Sequence, residues 1–272
     1  MRMFLLSASR SFFKKEGLFL ASGLAFDLLV SCIPFLFLVA SGIGFFFSKF
    51  GLSFDWFQDL IKNLLPAARQ AFIQDLSTLI ANRKPFGLIG FLFFFIFTSS
   101  MFGSVRIVLD RIFELNHERH YLVEKGFDLL VMLISSALFI LAVGIESILL
   151  IVRRVGGKFH ILGAFLDPGW TVLSSLLGLL FTVSLFFVLY RFCPSKKVGV
   201  KVVLISTLTG TLLFEVSKPV FAWYMTISTT YPLLFGTLAG LLFFILWIYY
   251  SCLIFILSAV IGKTLGTTSL SP

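Results

Sequence analysis

The chain is short of charge. Of its 272 residues only 13% are Asp, Glu, Lys or Arg, about half the roughly 25% that coats an average soluble domain. That shortage excludes a water-soluble globular protein and an intrinsically disordered one. Cysteine is scarce too, with three residues in all. Cys32 and Cys252 sit in apolar runs, Cys193 lies in a short basic loop, and none forms a CxxC or Cys/His spacing. A disulfide-stapled scaffold and a zinc site are thereby excluded, and reduced, structural thiols are expected. Catalytic signatures are missing as well: there is no Walker A loop, no GxSxG and no paired carboxylate cluster for two-metal hydrolysis. His117-Glu118-Arg119-His120 is not HExxH, because its histidines are three residues apart with no third ligand nearby; it reads as a solvated loop. No A-x-A-like cleavage site follows the first apolar run, which therefore reads as an uncleaved span.

What the sequence does have is apolar mass. Hydrophobic residues make up 58% of the chain and phenylalanine alone contributes 36. A helix needs about 20 residues to cross a hydrocarbon core of about 30 Å. Six runs qualify, at about 17–47, 86–110, 127–152, 169–191, 200–225 and 235–262, so the expected architecture is all-α, a polytopic six-helix bundle forming one membrane domain over 1–272. The first run exceeds the membrane thickness and carries Pro34, so it is expected to tilt, kink or project. Gly156-Gly157 and Pro168-Gly169 read as turns between the third and fourth spans.

The net charge of +9 points to anionic lipid headgroups rather than nucleic acid. Alternating the six spans puts 13 basic residues on the side of the N-terminus and nine on the other, which favours both termini in the cytoplasm. The long outer segment 52–84 is expected to form two amphipathic helices broken at Pro66. Leu52, Trp56, Leu60, Ile61 and Leu64 lie near one face of the first; Phe72, Ile73, Leu76, Leu79 and Ile80 follow in the second. Such a pair serves either as a lid over a cavity or as an interfacial belt.

Ionisable residues inside spans are expensive in lipid and mark interior faces. Gly23, Asp27 and Ser31 recur every four residues in span 1; Ser99, Gly103, Arg106 and Asp110 share a face of span 2; Thr207, Thr211, Glu215 and Lys218 form a stripe in span 5; and Glu146 stands beside Ser147 in span 3. Asp27, Arg106, Asp110, Thr211, Glu215 and Lys218 are the candidate substrate-binding residues. On the functional reading the faces of spans 1, 2 and 5 converge on one cavity in which Arg106 and Lys218 attract an anionic headgroup. On the structural reading Glu215 and Lys218 neutralise only each other, Arg106 and Asp110 form an interfacial ion pair, and Asp27 is a carboxyl bonded to a neighbouring helix. Gly236-x-x-x-Gly240 fits a close helix crossing.

Four segments resemble the YihY/virulence factor BrkB family of bacterial inner-membrane proteins, once labelled ribonuclease BN. They are Gly23-Leu24-Ala25-Phe26-Asp27-Leu28-Leu29-Val30-Ser31-Cys32-Ile33-Pro34, then Arg111-Ile112-Phe113-Glu114-Leu115-Asn116, then Thr209-Gly210 with Phe221-Ala222-Trp223-Tyr224. The closest is Phe235-Gly236-Thr237-Leu238-Ala239-Gly240 with Leu246-Trp247-Ile248-Tyr249-Tyr250. The likeness runs over about residues 10–263. Two departures stand out. Ser258-Ala259-Val260 replaces the family's usual Gly-Ala-Glu, so no role for that glutamate carries over, and Asp27 stands where an aromatic residue or Thr is commoner. The resemblance implies a six-helix bundle in the bacterial inner membrane and a role at the cell envelope. The expected function is a transporter or flippase for an amphiphilic or anionic envelope substrate such as a lipid; the alternative is a non-transporting envelope-integrity or scaffold protein. Neither is an enzyme, no metal or other cofactor is implied, and the expected partners are membrane lipids, with an anionic lipid or lipid-linked substrate and no nucleic acid.

Overall fold

The structure is a computed structural model that describes residues 9–50, 83–115, 125–138, 141, 160–227 and 238–268. A short helical turn at 9–14 precedes α1 (Gly17–Phe50). Then come α2 (Arg83–Phe113), α3 (125–138), α4 (His160–Phe192), α5 (Val200–Ile227) and α6 (Leu238–Thr268). The described residues contain no strand. α1, α2, α4, α5 and α6 each hold a stretch long and apolar enough to cross a membrane, which makes this an all-α polytopic membrane protein. The third expected span is described only over 125–138 and 141. The outer segment 51–82, Glu146, Gly156-Gly157 and the two histidines His117 and His120 lie outside the described residues.

One expectation fails at α4. Pro168 and Gly169 are not a turn, because the helix already runs from His160. In hydrocarbon the backbone must satisfy its own polar groups, so a membrane helix continues through residues that would end a soluble one.

By their contacts the described residues fall into two compact units, 1–25 with 102–272, and 26–101, the division passing through α1 and α2. In the smaller unit Phe35 of α1 meets Phe94 of α2 with ring centroids 5.9 Å apart, and Phe91–Phe95 and Phe93–Phe97 line successive turns of α2.

The larger unit is built on α5, which packs against both α4 and α6. α5 is patterned inside out. Leu204, Leu208, Leu212, Val216 and Val220 recur every four residues and are all exposed, whereas Ser206, Thr207, Gly210 and Thr211 are buried. A soluble helix does the reverse; here the apolar ridge is the lipid-facing one. Gly262 and Gly266 of α6 let the backbones of α5 and α6 approach. A Cβ at Gly262 would collide with Ser206, and one at Gly266 with Val202. Of the glycine pair expected from the sequence, Gly240 has no described atom within contact of an added Cβ, and Gly236 lies outside the described residues. Tyr190 of α4 stacks on Phe255 of α6 at 4.9 Å and 10° between planes, and its hydroxyl donates to the Phe255 carbonyl at 2.8 Å and shares a 2.6 Å bond with Ser258. A fully buried phenol is thus satisfied where water does not reach.

Candidate functional site

The polar residues of the larger unit gather in three groups. The first sits where α2 ends, α3 begins and α4 turns into α5. Gly103, Arg106 and Asp110 follow one another down a face of α2. The Arg106 guanidinium lies 3.5 Å from the Asp128 carboxylate of α3, and Lys125 reaches the same oxygen at 3.9 Å. A Cβ at Gly103 would touch the Asp128 carboxylate and the Lys125 ammonium, so the glycine leaves both groups their place against α2. Asp110 reaches the turn between α4 and α5. It accepts the Ser195 N–H at 2.9 Å and the Ser195 hydroxyl on its other oxygen, while Arg191 donates to the Val198 carbonyl at 2.8 Å across the same turn. Arg106, Asp110, Asp128 and Ser195 are all buried. Removing one member of a buried charge pair leaves the other uncompensated at a cost of about 3–5 kcal/mol. Burial, followed by the negative charge of Asp128 and, more weakly, Asp110, pushes the Cys193 thiol well up against the opposing pull of Arg106, which keeps it unreactive.

The second group is an ionic clasp beside the first. Lys15 donates to the Ile112 carbonyl at 2.6 Å and to Glu114 at 2.7 Å; Lys263 of α6 holds the other Glu114 oxygen at 2.8 Å; and Arg111 holds Glu16 at 2.6 Å. Glu16 and Glu114 both follow a helix end and both have positive φ, 55° and 58°, a left-handed conformation usually left to glycine at a helix C-terminus. Each acid thus ends its own helix and takes a base from the other segment. The two Lys bonds pull the Glu114 carboxyl down to about 2, while burial is the main influence lowering Lys15.

The third group lies on α5. Glu215 accepts Lys218 at 2.6 Å and Thr182 of α4 at 2.9 Å, both on Oε1. The Lys218 ammonium also stands 5.2 Å from the centroid of the Phe214 ring, within the range of a cation–π contact, and Phe214 in turn meets Trp247 of α6. Pro219 follows at once inside the helix, and having no N–H it deprives the Glu215 carbonyl of its ordinary helical donor. On the same face Thr207 and Thr211 are buried with no hydrogen-bond partner for their hydroxyls. An unsatisfied buried hydroxyl costs about 1–3 kcal/mol.

The expected convergence of spans 2 and 5 on one site is therefore not what the larger unit contains. Arg106 faces Asp128 and Lys218 faces Glu215, and Glu215 lies about 22 Å along α5 from Val200, far from the level at which Asp110 holds Ser195. Asp27 belongs to the smaller unit, where it is half-buried and its backbone carbonyl accepts the Ser31 hydroxyl at 2.8 Å. Among the described residues no three of His, Cys, Asp and Glu come together as metal ligands.

The profile of the family described as Virulence factor BrkB matches residues 8–269. The chain belongs to the BrkB family. It is similar to a "UPF0761 membrane protein" of Pseudoalteromonas atlantica, 24% identical over 90% of this chain and 80% of that protein. Another, from Cronobacter sakazakii, is 26% identical over 91% and 83%. A third, from Chlorobium luteolum, is 29% identical over 95% of this chain but 59% of its own length. No solved structure matches. At the place where Ser258 departs from the usual BrkB pattern, the structure gives that serine a function of its own as the partner of Tyr190.

Sequence reasoning missed Asp128, Thr182, Tyr190 and Ser195. Asp128 had a usable signal, an acid just inside the third apolar run and three residues from Lys125. Thr182 and Ser195 had none, because their partners lie 33 and 85 residues away.

Proposed function

We propose that this BrkB-family protein is a transporter or flippase of the bacterial inner membrane that moves an amphiphilic, anionic envelope substrate such as a phosphate-bearing lipid, with both termini in the cytoplasm, and that it is not an enzyme. The observation that carries the reading is the polar face of α5. Unpartnered Thr207 and Thr211 lead to Glu215 and Lys218 inside a helix whose adjacent face is an unbroken apolar ridge. A helix kept only as packing material would bury apolar side chains on that face, since burying hydroxyls and charges is costly. Lys218 supplies a point charge for a phosphate passing along it. The alternative, a non-transporting envelope-integrity or scaffold protein, draws support from the pairing of Arg106 with Asp128 and from the stacked Tyr190–Phe255 core.

Transbilayer exchange separates the two. The purified protein is reconstituted with a trace of head-labelled fluorescent phosphatidylglycerol, and dithionite is added to bleach the outer leaflet. A transporter makes the protected half of the signal accessible within minutes, and Lys218→Ala slows that phase at least tenfold. A protected fraction that stays at one half in wild-type vesicles contradicts the proposal.

A further inference from the structure

We propose that the Thr207–Thr211–Glu215 face of α5 is a hydrated crevice that leads water to the free oxygen of Glu215, Oε2. The hydroxyls give the first observation. Thr209, Ser217 and Thr226 of the same helix bond back to carbonyls of their own backbone, the ordinary resort of a hydroxyl within a helix. Thr207 and Thr211, only 2% and 6% exposed, do not, and have no other partner. Ser206 is unpartnered as well, but it is packed against Gly262, which leaves it no room. Buried polar groups of this kind are satisfied by ordered water where a polar, connected space exists.

Glu215 supplies the second observation. Both of its bonds fall on Oε1, so Oε2 is open, and Pro219 leaves a backbone carbonyl without its helical donor at the same residue. The ends of the stripe differ. The Glu215 and Lys218 side chains are 30% and 41% exposed, whereas Val203, one turn beyond Thr207, is fully buried. The crevice opens at the ion pair and closes at Val203.

The groups facing Glu215 are few. Lys218 is its charged neighbour on α5, α4 presents Thr182, and α6 presents Trp247 against Phe214 and Phe221. Crevice water donates to the carboxylate at Oε2, while Oε1 keeps Thr182 and Lys218.

One measurement on the full chain in vesicles tests the proposal. Thr211→Cys and Leu212→Cys are compared for reaction with a trimethylammonium methanethiosulfonate, each above the wild-type background. Thr211→Cys is a near-isosteric change, and Leu212 is 66% exposed on the apolar ridge. The thiolate forms only in contact with water, so reaction at least tenfold faster at position 211 is expected; equal or slower reaction overturns the crevice. This readout does not involve lipid, so an inert protein in the exchange assay and a failure here are told apart.

Discussion

At the scale of single residues, the structure separates groups that resemble one another in sequence. Arg106 and Asp110 stand four apart on one helical face and reach different segments, Arg106 to Asp128 and Asp110 to the turn at Ser195. Periodicity reveals the face, but the partners arrive from segments up to 85 residues away, and no local spacing announces them. Glu114 shows the same thing from the other side. It bridges Lys15 and Lys263 in a backbone conformation that favours glycine. Its carboxyl is held near 2, below the ordinary value of about 4.5. The stabilisation it gives is therefore complete above about pH 4.5 and is lost as pH falls through 2. Thermal unfolding in detergent should show wild type above Glu114→Gln at pH 5 and above, with the gap closing as pH approaches 2. A gap independent of pH would mean that the clasp does not act through the Glu114 charge.

At the scale of elements, the apolar runs were legible because a bilayer demands them: α5 begins and ends within two residues of the expected span, and α2 within three at each end. α4 was misjudged by nine residues at its start, since Pro168-Gly169 carries turn chemistry only where water can take the freed backbone groups. Glycine pairs were legible as a type but not by position. Gly262-x-x-x-Gly266 has the same spacing as the pair expected from the sequence, and the register of α5 against α6 makes it a contact. Gly262→Val should force α5 and α6 apart, because the added atoms meet both the side chain and the backbone of Ser206. A loss of about 3 kcal/mol or more is expected, at the upper end of overpacking effects. Gly240→Val, with no described atom within 4 Å of an added Cβ, should leave the unfolding temperature unchanged. Equal effects at the two positions would contradict the α5–α6 register.

At the scale of the whole molecule, the clasp and the Asp110–Ser195 bond put the start of α1, the end of α2, the α4–α5 turn and the end of α6 at one level of the larger unit. If that level is cytoplasmic, as the excess of basic residues implies, a cysteine at exposed Lys197 labels from the cytoplasm and one at Gln70 from the opposite side. Labelling of both from one side contradicts the proposed orientation. Ser195 itself is buried and is the wrong place to look. The central claim concerns α5, namely that its charges act on a substrate rather than only on each other. The most direct measurement is lipid exchange by the double variant Glu215→Lys/Lys218→Glu, with its unfolding temperature recorded beside it. The exchange keeps an acid and a base one turn apart but reverses their positions against Thr182, Phe214 and the Thr211 hydroxyl. The account predicts unfolding within a few degrees of wild type and dithionite-monitored exchange at least tenfold slower. Exchange at the wild-type rate in the reversed protein would show a private ion pair and contradict the claim.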